Sequence, residues 1–186
     1  MRIVAIAGSL RAASFNQQLV RAAAAQAPPG AVVEVWEGLG RVPPYSEDTD
    51  IDPVPPQVAE LRGVLATADA VLIATPEYNG SLPGQLKNAL DWASRPFPDS
   101  ALRAKPVAVI GASASPHGAR WAQTELCKVL GVIGADVLER TVPVGSAWAA
   151  FDTEGQLIDP TALRELHQLL TELHARTQRV PEPAAS

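Results

Sequence analysis

Hydrophobic residues in this chain occur in short unbroken runs, separated by longer stretches with helical spacing. Three runs, at residues 3–7, 70–74 and 107–110, are continuously apolar. Runs of this kind are typical of strands buried on both faces, as in a parallel sheet between two helical layers. The run at residues 31–36 has Glu34 in its middle, which places it nearer to an edge of the sheet.

The stretches between these runs carry helix signals. Ser14 and Gln17 have the spacing of a capping box, in which the Ser14 hydroxyl and the Gln17 amide each satisfy a backbone N–H. Asp159 followed by Pro160 predicts the start of the last helix. Apolar residues recur at helical spacing in three further stretches: Val58, Leu61 and Leu65; Ala122, Leu126, Val129, Leu130 and Ile133; Leu163, Leu166, Leu170 and Leu173.

The alternation of strands and helices predicts β-α-β units with right-handed crossovers. We therefore expect an α/β fold, a flavodoxin-like three-layer sandwich with a five-stranded parallel sheet in the order 2-1-3-4-5. In such a sheet, ligands bind at the carboxyl ends of strands 1, 3 and 4. Residues 1–180 are expected to form a single domain, and residues 181–186 a disordered tail.

Composition narrows the possible functions. The chain has 186 residues and a mass of 19.6 kDa, which suits one domain. Its net charge of −5 argues against a nucleic-acid partner, because non-specific binding needs a basic footprint. Cys127 is the single cysteine, which excludes an internal disulfide and a multi-cysteine metal cluster. No apolar run approaches the ~18 residues of a membrane span, so we expect a soluble, cytoplasmic protein with no membrane partner.

The first strand leads directly into residues 8–16, which combine several anion-binding devices. The helix that follows presents unpaired N–H groups and the positive end of its dipole. Ser9, Ser14 and Asn16 add side-chain donors, and Arg11 adds a planar fork suited to phosphate oxygens. The segment lacks both G-x-G-x-x-G and G-x-x-x-x-G-K-[ST], which favours a single terminal phosphate over a dinucleotide or a nucleoside triphosphate. The alternative is an ordinary strand-to-helix turn with a solvated arginine.

Two more loops are expected at the same edge of the sheet. Residues 75–84 follow the third strand and are rich in Pro, Asn and Gly, so their backbone can face a ligand, and Tyr78 can cover a ring. The alternative is an ordinary loop with a conformational glycine. Residues 111–118 follow the fourth strand. Three ligand-capable loops at one edge indicate a shared binding site.

These loops carry a family resemblance. The segments Gly8-Ser9-Leu10-Arg11-x-x-Ser14-x-Asn16, Thr75-Pro76-Glu77-Tyr78-Asn79 and Pro83-Gly84-x-Leu86-Lys87-Asn88-Ala89-x-Asp91-Trp92 resemble the NADPH-dependent FMN reductase family. The resemblance covers residues 1 to about 142. It implies a non-covalently bound FMN and NADPH or NADH as hydride donor. It also implies homodimers that often pair into homotetramers, and a small acceptor such as a quinone, free flavin, chromate or an azo compound.

The resemblance also assigns roles to residues. It implies that Ser9, Arg11, Ser14 and Asn16 hold the FMN phosphate with the backbone of Leu10. Four residues of the second loop would line the ribityl chain and the isoalloxazine: Pro76, Glu77, Tyr78 and Asn79. Ser113 would lie beside the pyrimidine end of the ring, where backbone donors of the third loop would stabilise negative charge. The helix over residues 87–95 resembles the subunit contact.

The third loop departs from the family pattern. Relatives commonly have glycine where Ser115 stands and a basic residue where Trp121 stands, and Pro116 lacks an N–H donor. These differences bear on the shape of the substrate cavity rather than on FMN binding.

No side chain is expected to act as catalytic acid, base or metal ligand. His117 either contacts the substrate or nicotinamide or is a solvated loop residue. His167 and His174 are expected to be partly exposed, and Cys127 to be a small buried hydrophobe. Two other readings stay open. One is a flavodoxin-like electron carrier, and the other is a flavin-binding sensor without NADPH turnover.

Overall fold

The computed structural model describes residues 1–178, and the tail predicted at residues 181–186 lies outside this range. Strands and helices alternate along the chain. The strands are β1 (Arg2–Ala7), β2 (Val32–Trp36), β3 (Ala70–Ala74), β4 (Pro106–Ala112) and β5 (Asp136–Val144). The helices are α1 (Phe15–Ala25), α2 (Pro56–Ala66), α3 (Gly84–Ala93), α4 (Arg120–Ile133), the four-residue α5 (Ala147–Ala150) and α6 (Pro160–Thr177).

The five strands are parallel and lie in the order β2-β1-β3-β4-β5, which confirms the predicted flavodoxin-like α/β fold. The central strand β3 is buried at every position, as expected for a strand covered by helices on both faces. β2 lies at one edge, and its Glu34 is exposed. Because the carboxyl ends of parallel strands share one edge, the loops that follow β1, β3 and β4 meet along it. We call these segments loop 1 (residues 8–14), loop 2 (residues 75–83) and loop 3 (residues 113–119), and the edge they share the rim.

The fifth strand is the one whose position the sequence pattern does not reveal. β5 lies at the other edge and alternates between buried and exposed positions, with Glu139 and Arg140 both exposed. Its pairing with β4 also shifts register between Val107 and Val109. A half-exposed, irregular edge strand does not produce the unbroken apolar run that marks β1, β3 and β4.

Alternate side chains of the sheet contribute to two hydrophobic cores. On one face, Ile3 packs in a cluster with leucines of α1 and α6, including Leu166. On the other face, Val4 packs in a cluster with residues of α2, α3 and α4, including Leu86 and Leu126. Each fully buried leucine of this kind contributes roughly 1.5–3 kcal/mol to folding relative to an exposed one. The two cores hold the strand ends, and hence the rim, in fixed positions.

The helix starts are partly as predicted. Asp159 caps α6, with its Oδ1 accepting the N–H of Ala162 at 2.7 Å, and Pro160 is the first helical residue. Ser14 caps α1, accepting the N–H of Asn16 at 3.2 Å. The Gln17 half of the capping box is wrong, because its Nε2 donates to the Ser9 carbonyl at 3.3 Å instead. Within residues 1–178, no helix combines the length and apolar character needed to cross a bilayer.

A long connection between β2 and α2, residues 37–55, is held against the domain by α3. We call it the strap. Gln85 Nε2 donates to two strap carbonyls at 2.8 and 2.9 Å. Asn88 Nδ2 and Trp92 Nε1 both donate to the carbonyl of Pro43, at 2.8 and 2.9 Å. These three α3 residues lie at helical spacing, so one face of α3 is used to hold the strap.

Candidate functional site

Loop 1 contains two buried serine hydroxyls and an exposed arginine. Ser9 and Ser14 are buried, and each oxygen accepts a backbone N–H, from Arg11 at 3.4 Å and from Asn16 at 3.2 Å. Each hydroxyl therefore retains a hydrogen to donate. Arg11 is exposed, and its Nη2 reaches only the carbonyl of Ala13, at 3.4 Å. The guanidinium is free to approach a ligand from the solvent side.

The first turn of α1 adds backbone donors to these groups. The N–H groups of Phe15 and Gln17 have no backbone acceptor within the described chain. Residues 8–17 contain no carboxylate, so the positive end of the helix dipole is not neutralised locally. Two hydroxyls, two N–H groups and a guanidinium form a donor set that suits a phosphate. This part of the site therefore fits the phosphate of a mononucleotide such as FMN.

Asn16 is used differently from the other predicted phosphate ligands. It is buried, its Nδ2 donates to the carbonyl of Ala112, and its Oδ1 accepts the N–H of Ala112, both at 2.9 Å. Ala112 is the last residue of β4. Asn16 thus ties the start of α1 to the base of loop 3, and only the second hydrogen on Nδ2 remains for a ligand.

Loop 2 contains a tight turn. Tyr78 and Ser81 exchange two backbone hydrogen bonds of 3.0 and 3.1 Å, and between them Asn79 and Gly80 have φ angles of 55° and 77°. Asn-Gly in this left-handed conformation is the sequence preferred for a two-residue turn. Pro76 is buried and Tyr78 is half exposed, so the loop is anchored at its base and presents its aromatic ring at the rim.

Glu77, expected to line the ligand, points its carboxylate at α4. Its Oε2 accepts the N–H groups of Trp121 and Ala122, at 3.0 and 3.3 Å. The carboxylate is therefore engaged at the amino terminus of a helix, where the helix dipole stabilises a negative charge. Whether Glu77 also touches a ligand stays a prediction.

Several backbone donors of loop 3 are already used within the protein. The N–H of Ser115 is accepted by the Ser113 hydroxyl at 3.1 Å, and the N–H of His117 by the Ser115 hydroxyl at 3.3 Å. Pro116 has no N–H. The N–H of Ala114 has no backbone acceptor in the described chain. Of the expected donors for negative charge, Ala114 is thus the one that these contacts leave available.

The segment after β5 supports loop 3 from behind. The N–H of Ser113 donates to Val144, and the carbonyl of Ser113 accepts the N–H of Ala147, both at 3.0 Å. The two segments approach so closely that a Cβ at Gly145 would clash with the carbonyl oxygen of Pro116. This support was not predicted, because the sequence pattern did not locate β5.

Loops 1 and 2 enclose a cavity of about 350 Å³ at the rim. Seven residues line it: Gly8, Leu10, Arg11, Tyr78, Pro83, Gly84 and Gln85. The structure therefore brings together Leu10, Arg11 and Tyr78, which the sequence predicted for one site. Gln85 was missed as a lining residue. The signal that could have found it is its position directly after Pro83-Gly84, at the end of the second loop.

Trp121 and His117 lie on the loop 3 side of the rim. The Trp121 side chain is exposed, and its Cε3 lies 3.7 Å from the position a Cβ would take at Gly80 in the loop 2 turn. His117 is also exposed, and its contact with a substrate stays a prediction. Cys127 lies further along α4 against the core, where burial raises the pKa of its thiol.

A second concave surface lies between α3 and α4, away from the three loops. This α3–α4 groove has a volume of about 380 Å³. Charged and apolar residues line it: Lys87, Asp91, Ser94, Arg95, Phe97, Lys128, Val129, Val132 and Ile133. Val132 is 83% and Phe97 79% exposed, so large apolar groups face solvent in the isolated chain.

The fold is flavodoxin-like and the donor set of loop 1 fits a phosphate, and comparisons with known proteins identify the family as one of oxidoreductases. Residues 1–149 match the NADPH-dependent FMN reductase family, and the chain belongs to it. The chain is 39% identical over 181 residues to an NAD(P)H-dependent FMN reductase of Pseudomonas aeruginosa, covering 97% of both chains. It is 43% identical over 136 residues to a 2-hydroxy-1,4-benzoquinone reductase of Burkholderia, covering 72% of this chain and 73% of that one.

A solved structure agrees with this assignment. The flavoenzyme NAD(P)H:(acceptor) oxidoreductase FerB of Paracoccus denitrificans superimposes with a TM-score of 0.83 at 31% identity, covering 95% of this chain and 97% of that one. The predicted family, the enzyme class and the cofactors FMN and NAD(P)H are thereby confirmed. The chain is an FMN-dependent NAD(P)H oxidoreductase.

Proposed function

We propose that this enzyme binds the FMN phosphate in loop 1 and passes electrons from NAD(P)H to a small quinone. The observation that carries the proposal is the donor set of loop 1 at the mouth of the cavity shared with loop 2. The hydroxyls of Ser9 and Ser14 and the N–H groups of the first turn of α1 would receive the phosphate, and Arg11 would close over it. Asn16 would contribute its remaining Nδ2 hydrogen.

The ring would lie between loops 2 and 3. Tyr78, which lines the cavity, would cover one side, and the resemblance to the family assigns Pro76 and Asn79 to the same part of the site. Ser113 and the N–H of Ala114 would lie at the pyrimidine end. Bound FMN supplies hydride transfer between NAD(P)H and the acceptor. The chain's own task is to hold the cofactor, orient both substrates and shield the reacting face, and no acid–base side chain is required for it.

A quinone is the acceptor that the relatives and the cavity lining support best. The relatives include proteins named 2-hydroxy-1,4-benzoquinone reductase and quinone reductase, the latter from Pseudomonas putida at 34% identity over 160 residues. The cavity lining combines apolar groups from Leu10 and Pro83 with the ring of Tyr78, which suits a planar, largely apolar molecule. Free flavin, chromate and azo compounds are the alternatives that the assay below ranks.

An anaerobic titration with NADPH tests the proposal directly. The FMN-reconstituted protein should lose the visible absorption of oxidised flavin as NADPH is added, and a benzoquinone should then restore it. Comparing kcat/KM for benzoquinone, free FMN, chromate and an azo dye would rank the acceptors. Bound FMN that stays oxidised with NADPH and NADH would contradict the proposal and favour the carrier or sensor.

We also propose that two chains associate through the α3–α4 groove. Its exposed Val132 and Phe97 are flanked by Lys87 and Lys128 and by Asp91, so the surface offers an apolar centre and charges of both signs to a second copy. Whether two such dimers form a homotetramer is for mass measurement to decide.

Because NAD(P)H is a reductant of the cytoplasm, we propose that the enzyme acts there, and cell fractionation tests this.

A further inference from the structure

Helix α4 begins without a cap of its own. Its N-cap residue, Ala119, has a φ of 59° and offers no side-chain acceptor to the first turn. A helix start leaves N–H groups without intrahelical partners, and a carboxylate is well suited to accept them. Glu77 provides this carboxylate from another loop, accepting the N–H groups of Trp121 and Ala122.

The segment that carries Glu77 is firmly held. On one side lies buried Pro76, and on the other the turn closed by the paired backbone hydrogen bonds between Tyr78 and Ser81. The position of the Glu77 carboxylate is therefore fixed by β3 and by the turn. The Glu77 carboxylate therefore joins the start of α4 to a loop whose own position is fixed.

The other end of loop 3 is held by different contacts. Ser113 is hydrogen-bonded to Val144 and Ala147, and the carbonyl of Ser115 accepts the N–H of Ser146 at 2.9 Å. The end of loop 3 is also packed on this segment, since a Cβ at Gly118 would lie 2.7 Å from the backbone N of Val144, and the Gly118 carbonyl accepts Gln123 Nε2 at 2.7 Å. Loop 3 and the start of α4 therefore form one unit, and Glu77 is the side chain through which loop 2 is hydrogen-bonded to it.

We propose that Glu77 is a positioning residue that clamps loops 2 and 3 at the separation FMN requires, through its bonds to Trp121 and Ala122. This inference rests on the proposed FMN site and deepens it. It differs from the role implied by the family resemblance, in which Glu77 lines the ligand itself. For the clamp to form, the Glu77 side chain must be long enough to reach α4 and must carry an oxygen that accepts the two N–H groups. Its negative charge is secondary.

Two substitutions distinguish the effect of the length of the Glu77 side chain from the effect of its negative charge. Glu77→Asp keeps the charge but shortens the side chain by one methylene, whereas Glu77→Gln keeps the length and an accepting oxygen but removes the charge. FMN affinity of the apoprotein, measured by quenching of FMN fluorescence, is the readout. We expect Glu77→Asp to weaken FMN binding by about tenfold, the scale set by losing one helix cap. The FMN affinity of Glu77→Gln should stay within about threefold of that of the parent protein, because the amide oxygen can still accept both N–H groups.

Asp159→Ala is the matched control. Asp159 is also a carboxylate cap, but it serves α6, and its removal should lower the melting temperature while leaving FMN affinity unchanged. If Glu77→Asp bound FMN as tightly as the parent, Glu77 would be a structural cap and the clamp would be wrong. If Glu77→Gln bound FMN more weakly than Glu77→Asp, the negative charge of Glu77 would act on the ligand directly, and the clamp would again be wrong. A parent protein that does not bind FMN would instead refute the proposed function.

Discussion

The amide of Asn16 pairs with the backbone of Ala112 as a neighbouring strand would, exchanging two hydrogen bonds of 2.9 Å across 96 residues of sequence. Both residues are buried. The pair connects the start of α1, which follows loop 1, to the last residue of β4, which precedes loop 3. The pair therefore holds the two segments from which the phosphate side and the ring side of the proposed site project at a fixed distance from each other.

Replacing Asn16 with alanine should destabilise the apoprotein. The N–H and C=O of Ala112 would lose their partners in a buried position, at a cost of about 2–4 kcal/mol in the free energy of unfolding. Urea denaturation measures this as a lower midpoint. Gln17→Ala is the control, since it removes one longer bond at a partly buried site, and its midpoint should barely change. Equal midpoints for Asn16→Ala and the parent would show that the pair contributes little.

Replacing Arg11 with alanine should weaken FMN binding without affecting folding. Within residues 1–178 the guanidinium has a single long hydrogen bond, whereas a charge-assisted bond to phosphate is worth about 1.5–3 kcal/mol, or roughly 10- to 100-fold in affinity. Arg21→Ala removes another exposed arginine, on α1 beyond its first turn, and should bind FMN normally. An unchanged affinity in Arg11→Ala would remove Arg11 from the phosphate site.

Replacing Trp121 with alanine should change which acceptors are used. Trp121 is 68% exposed beside the loop 2 turn, and we expect its indole to pack against the larger ring system of a naphthoquinone more than against a benzoquinone. An aromatic contact of about 0.5–1.5 kcal/mol predicts a two- to tenfold lower ratio of kcat/KM for naphthoquinone over benzoquinone. Trp148→Ala, which removes an indole that is 70% exposed on α5, should leave the ratio unchanged. A parallel loss for both acceptors would contradict the prediction.

Replacing Val132 with aspartate should separate the subunits. An unpaired carboxylate at the apolar centre of the proposed interface costs several kcal/mol on association. Light scattering after gel filtration should give the mass of two or four chains for the parent and of one for Val132→Asp. Ile51→Asp places the same charge on the exposed strap and should not change the mass. A monomeric parent would refute the proposed interface.

The sequence was most informative about features that depend on a single strand or helix and on the residues next to it. Unbroken apolar runs located β1, β3 and β4, and the parallel arrangement alone placed loops 1, 2 and 3 at one edge. The caps Ser14 and Asp159 were predicted because a cap and its partner lie within three residues of each other.

The sequence was least informative where a side chain bonds to a distant segment. Nothing local tells that Glu77 bonds to Ala122 rather than to a ligand, or that Asn16 bonds to Ala112. The partner is decided by the packing of the sheet, which brings together residues far apart in sequence. Gln17 is a nearer example. Its side chain was expected to bond to the backbone of Ser14, but its Nε2 donates to the carbonyl of Ser9, eight residues away.

The two-sided use of α3 has a consequence for directed evolution. Gln85, Asn88 and Trp92 hold the strap, while Lys87 and Asp91 on the opposite side line the α3–α4 groove. A ten-residue helix with both faces committed leaves few positions where a library can vary freely. Diversity aimed at new acceptors is better placed at Tyr78 and Trp121, whose side chains are exposed at the rim and whose backbone contacts do not depend on the side chain.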